Sequence, residues 1–149
     1  MTKPYATEAE VDRIAVGVID RSLPKPEWTH AAHFAAALWL LRRRPDLIAE
    51  TAMPPLIRAY NEATGVPNTD TDGYHETITL ASIAAARAVL GGRPAEEPLD
   101  EVLARLMAGP LGDSGWPLAY WSKPRLFSVA ARRTWLDPDL QPFDPAVFG

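Results

Sequence analysis

Apolar residues recur every three to four positions through most of the chain, and no run shows the strict alternation of a half-buried strand. Val11, Ile14, Val18 and Ile19 form a first stripe at helical spacing, preceded by Thr7-Glu8-Ala9-Glu10, which has the form of a capping box. The pattern predicts a helix from about Glu8 to Asp20, and Pro24 and Pro26 then favour an extended connection. A second helix is predicted to start at Thr29, a good N-cap, and to run through His33, Phe34, Ala37, Leu38 and Leu41. Arg42, Arg43 and Arg44 close it with charge that suits the C-terminal end of a helix dipole, and Pro45 breaks it. This segment is apolar on nearly every side, which marks it as the central helix.

Asp46 to Ala52 reads as a short helix of its own, with Pro54 and Pro55 in the first turn of another, where missing amides do no harm. Leu56, Ile57 and Tyr60 give that helix an apolar face and Gly65 stops it, before a polar loop from Val66 to Gly73. The next helix is expected from about Asp72 to Leu90, ended by Gly91-Gly92, with a small-residue face of Ile78, Ala81, Ala85 and Val89 that permits close association. Leu99, Val102, Leu103, Leu106 and Met107 mark a fifth helix. Ser122 is placed to cap a last one, from Lys123 to about Trp135, with Pro124 in its first turn. Pro138, Pro142 and Pro145 predict an extended tail from about Asp137. The expectation is an all-α fold, a single-domain helical bundle of about five to six helices spanning residues 1–149.

Composition narrows the function. A chain of 149 residues needs no metal or disulfide merely to fold. The net charge of −4 argues against a nucleic-acid partner, because phosphate binding wants a basic face. There are no cysteines, so thiolate metal sites and a cysteine nucleophile are excluded. The longest apolar stretch, Phe34 to Leu41, falls far short of the roughly 20 residues that span a bilayer, so no membrane partner is expected. The segment from Met1 to Glu10 lacks the apolar core of a signal peptide, and a cytoplasmic location is expected. Abundant alanine and arginine with scarce lysine fits a GC-rich bacterial genome.

The three histidines fall where two helices are predicted to begin: His30 and His33 at one, His75 at the other. Three residues apart on a helix, His30 and His33 share a face, with Cβ atoms about 5–6 Å apart. That is a workable pitch for two imidazoles on one divalent metal ion, with His75 as third ligand and zinc, nickel or iron as the candidates. Glu76 or Asp72 is placed to serve as general base or as partner to a ligand. The positive end of each helix dipole should hold first-turn histidines in the neutral form that a ligand or a base requires. Tyr74 adjoins this cluster, and Thr79 and Ser82 share the His75 face. Ser122, Lys123 and Arg125 form a candidate anion site at a helix start. Arg58 and Glu62, at i and i+4, read as an exposed ion pair, and Arg132 and Arg133 as surface charge. Trp28 can staple onto the second helix, Trp39 reads as core, and Trp116, Tyr120 and Trp121 can wall a pocket.

The segments Glu27-Trp28-Thr29-His30-Ala31-Ala32-His33, Tyr60-Asn61, Gly73-Tyr74-His75-Glu76-Thr77 and Leu126-Phe127-Ser128 resemble a family of small uncharacterised bacterial proteins. The resemblance runs from about Trp28 to Asp139 and implies that these segments belong together, without supplying a substrate.

Two functions are open. In one, His30, His33 and His75 hold a metal between the second helix and that of His75. The protein is then a metal-dependent hydrolase, lyase or isomerase. In the other it is a non-catalytic module that binds a small molecule or a protein, with a homo-oligomer as one form of partnership.

Overall fold

The computed structural model describes residues 3–149; Met1 and Thr2, at the head of the stretch read for a signal core, lie outside the described residues. Seven α-helices and no strands are found there, five of the helices of seven residues or more. They are α1 (Glu8–Ile19), α2 (His30–Arg43), α3 (Ala49–Ala63), α4 (Glu76–Gly91), α5 (Leu99–Ala108), α6 (Lys123–Leu126) and α7 (Val129–Arg133). No helix among the described residues is long and apolar enough to cross a membrane.

The first two helices form where the pattern places them. Thr7 is extended and its hydroxyl accepts from the Glu10 amide at 3.3 Å, while the Glu10 carboxylate reaches back to the Ala6 amide at 2.8 Å, one residue earlier than the usual box. Thr29 caps α2 by accepting from the Ala32 amide at 3.2 Å. α2 packs against α1, α3, α4 and α5, and buries Phe34, Leu38, Leu40 and four alanines. It is the central helix because alanines on several faces let four neighbours approach at once.

Three segment boundaries differ from expectation. Asp46 and Leu47 are not helical, and the two helices expected between Asp46 and Tyr60 are one. Pro54 and Pro55 lie inside α3 rather than in a first turn. Ala49, Met53 and Ile57 form an unbroken buried face at four-residue spacing, and this burial holds the helix together through two missing backbone bonds. α4 starts at Glu76 instead of near Asp72, because His75 and not a loop residue supplies the cap. The last helix is two short ones. Ser128 caps α7 from the Ala131 amide at 3.1 Å and restarts the chain after Phe127.

The small residues of α4 are used inside the chain: Ala81 and Ala85 are wholly buried, in a helix that packs on α2. The face that sequence offered for self-association is therefore covered. The tail is not simply extended. Pro145–Phe148 form a 3-10 turn that packs on α4, and Phe143 and Phe148 join Trp116, Tyr120 and Trp121 in an aromatic cluster.

Candidate functional site

The start of α2 is built around His33. Trp28, one residue before the cap, stacks on the His33 ring with centroids 3.7 Å apart, so the histidine fills the position that an apolar residue takes in a hydrophobic staple. His33 Nδ1 lies 2.7 Å from the Thr29 carbonyl oxygen. A carbonyl can only accept, so Nδ1 carries the proton and Nε2 of the neutral ring keeps its lone pair. Burial lowers the His33 pKa to about 4; the Thr29 carbonyl works against that fall and the neighbouring His30 adds a little to it. The neutral form expected from the helix dipole is thus enforced chiefly by desolvation.

His30, the first residue of α2, is held in a similar way. Its Nε2 is 2.7 Å from the carbonyl oxygen of Leu111, in the 3-10 turn Pro110–Gly112 that follows α5. Nε2 donates, and in the neutral ring the lone pair sits on Nδ1. Both histidines line a cleft of about 310 Å3, with Phe34 from α2, Ile78 and Ser82 from α4, and Ser114 and Trp116 from the loop beyond α5. Ser82 donates its hydroxyl proton to the Ile78 carbonyl at 2.7 Å, which leaves its oxygen as an acceptor. The cleft therefore offers acceptors on an apolar floor. Among the described residues no carboxylate, lysine or arginine lines it.

The start of α4 is a separate structure. His75 is its N-cap: Nδ1 accepts from the Ile78 amide at 3.2 Å, and Nε2 donates to the Leu126 carbonyl at 2.7 Å. Both ring nitrogens are occupied, and ligation through either would break a hydrogen bond. Burial lowers the His75 pKa, opposed by the Leu126 carbonyl and helped by the charge of Arg132. His75 lines no cleft with His30 and His33. Among the described residues no three histidine, aspartate or glutamate side chains come together as a possible metal site. The histidine that sequence placed as third ligand is instead a cap and a tether between α4 and α6.

The other candidate residues divide between these places. Asp72 lies in the exposed loop before α4, where its backbone pairs with Thr69. Glu76 accepts from the Tyr74 hydroxyl. Neither carboxylate lines the His30–His33 cleft. The Tyr74 ring is buried beneath the Arg58 guanidinium, 4.5 Å above its centroid, and burial with the Glu76 contact raises its pKa. Thr79 stays outside the cleft that Ser82 enters. At the start of α6 the chain supplies its own anion: Asp139 accepts from the Ser122 amide at 2.8 Å and from its hydroxyl at 2.6 Å. Arg125 is turned to the Asp137 carbonyl and Lys123 is exposed.

Two parts of this arrangement escape a reading of side chains. The acceptors that orient His30 and His75 are main-chain carbonyls of apolar residues, Leu111 and Leu126, and leave no mark in the residue types. Thr77 is wholly buried and joins α4 to the stretch after α7, donating to the Thr134 carbonyl at 2.7 Å and accepting from the Leu136 amide at 3.1 Å. No family model, curated protein or solved structure matches the chain.

Proposed function

We propose that the cleft between α2 and α4 binds a small organic molecule that donates hydrogen bonds and carries an apolar or aromatic body. The observation that supports this reading best is His33: its ring is fixed by Trp28 and Thr29, and its Nε2 lone pair is unused at the wall of a 310 Å3 cleft. That volume is at the lower end of small-ligand sites, and a mainly apolar lining with a few placed polar atoms is their usual character. A pKa of about 4 makes His33 a good fixed acceptor at neutral pH but a poor proton shuttle, since a general base works best with a pKa near the working pH. Binding is favoured over acid–base catalysis on that ground.

A fragment library screened by ligand-observed NMR tests the reading. Fragments that carry an N–H or O–H donor on an aromatic or aliphatic body should bind, and His33→Ala should weaken them about tenfold, the worth of one good hydrogen bond. Binding that is indifferent to His33→Ala would sink the proposal.

One observation supports a metal in the same cleft. His30 and His33 each give one ring N–H to a backbone carbonyl, as metal-bound imidazoles commonly do. Zinc, nickel or iron(II) would then meet two protein ligands here and take the rest from water or substrate, as a hydrolase, lyase or isomerase requires. Elemental analysis and calorimetric titration separate the two readings. One ion per chain, lost in both His30→Ala and His33→Ala and kept in His75→Ala, favours the metal.

A further inference from the structure

A second pocket, of about 390 Å3, lies between α3, the loop preceding α4, and α7, and its wall includes Arg58, Arg132 and Arg133. It shares no residue with the histidine cleft. The three guanidinium groups are in different states. Arg133 is neutralised, giving two hydrogen bonds of 2.7 Å to the two oxygens of Asp70. Arg58 makes no ion pair among the described residues, Glu62 one turn on included, and its guanidinium carbon sits over the Tyr74 ring. Arg132 gives Nη1 to the carbonyls of Gly73 and Tyr74 at 3.1 and 3.3 Å, while its buried Nε–H has no partner among the described residues.

A buried donor on a charged group is costly to leave unmet, and such an orphan in a pocket wall points to a missing acceptor. Of the other polar groups of the wall, Asn68 and Thr69 are already engaged, and the Glu62 carboxylate can only accept. Asn68 accepts from the Tyr74 amide and donates to the Arg58 carbonyl, and Thr69 accepts from the amides of Thr71 and Asp72. Recognition therefore falls to the arginines. With Glu62 and Asp70 as its acidic members, the wall retains one positive charge.

We propose that this pocket binds the carboxylate group of a small organic acid. A monoanion balances the single surplus charge, whereas a phosphate dianion would exceed it. The flat edge of a guanidinium also matches a carboxylate in two parallel hydrogen bonds. Arg58 is held for this task by the face of Tyr74, which is itself fixed through its hydroxyl to Glu76.

The test follows the arginine Nε–Hε signals by NMR during titration with sodium acetate, with sodium chloride and inorganic phosphate at matched ionic strength as the other arms. The Arg58 and Arg132 signals should shift saturably with acetate and not with chloride. Arg58→Gln should weaken acetate at least tenfold with the amide spectrum otherwise retained. Arg132→Lys keeps a charge but removes the orphan Nε–H, and should also weaken it. Arg87→Gln, an arginine outside the pocket paired with Glu50, should leave it unchanged. Shifts that never saturate, or an Arg58→Gln variant that binds acetate as before, overturn the proposal. Phosphate binding more tightly than acetate overturns the assignment to carboxylate.

Discussion

The indole of Trp28 covers the imidazole of His33, with 27° between the ring planes, so the residue that staples the start of α2 also helps to cover a ring whose burial lowers its pKa. Folded His33 has a pKa of about 4 against an ordinary 6.5. Between those values the unfolded chain binds more protons, so stability is complete above about pH 6.5 and is lost as the pH falls toward 4. His75 shifts in the same direction. Urea unfolding should show a loss of about 1–3 kcal/mol from His33 across this window, allowing for its partial exposure. Trp28→Ala should move the His33 pKa back toward 6.5 in an imidazole NMR titration; a value still near 4 would mean that the indole is not its shield.

His75 should behave as a structural residue. His75→Ala leaves the Ile78 amide without its cap and the Leu126 carbonyl without its donor. The expected loss is about 2–4 kcal/mol in chemical unfolding, combining a lost cap with a buried unmet acceptor. His75→Asn, which can still cap, should recover about 1 kcal/mol. A neutral His75→Ala variant would contradict the assignment.

The position of the Leu111 carbonyl depends on Gly112. A Cβ there would run into the carbonyl oxygen of Met107, with the Met107 carbonyl carbon 2.8 Å away, and backbone cannot yield as a side chain can. Gly112→Ala should destabilise the protein by about 1–3 kcal/mol, as overpacking does. It should also change the His30 ring resonances, because the displaced turn carries the acceptor of His30 Nε2.

Pro55 is exposed inside α3, where it withholds a backbone donor. Pro55→Ala should restore that bond and raise stability by about 1–2 kcal/mol, a helix-propensity gain of roughly 3 kcal/mol reduced by the greater freedom of the unfolded chain. An unchanged or lower unfolding midpoint would show that burial along Ala49, Met53 and Ile57 has already absorbed the cost.

Most of the fold is legible from period alone, since α1, α2, α4 and α5 each carry a long apolar stripe and a recognisable end. The fusion of two expected helices into α3 is not. Paired prolines carry the same local signal whether they open a helix or sit within it, and only the buried Ala49–Met53–Ile57 face decides. The division after Leu126 was available in Ser128, an ordinary cap that the basic, amphipathic run around it obscured. At the site, residue type placed His30 and His33 on one face. It did not show that His75 caps α4 apart from them, because an imidazole that caps through Nδ1 looks in sequence like one free to ligate. The filling of the Ser122 start by Asp139 depends on a contact across 17 residues that no local pattern encodes.

The clasps on His30 and His75 both end on main-chain oxygens, at Leu111 and Leu126, within one stretch that follows α5. Substitution of either leucine leaves the oxygen in place so long as the chain keeps its path. Inserting or deleting a residue between Leu111 and Leu126 is a different kind of change. It shifts the spacing between the two oxygens, so both rings cannot stay held, however conservative the remaining side chains. Evolutionary drift through this region should therefore tolerate changes of letter far better than changes of length.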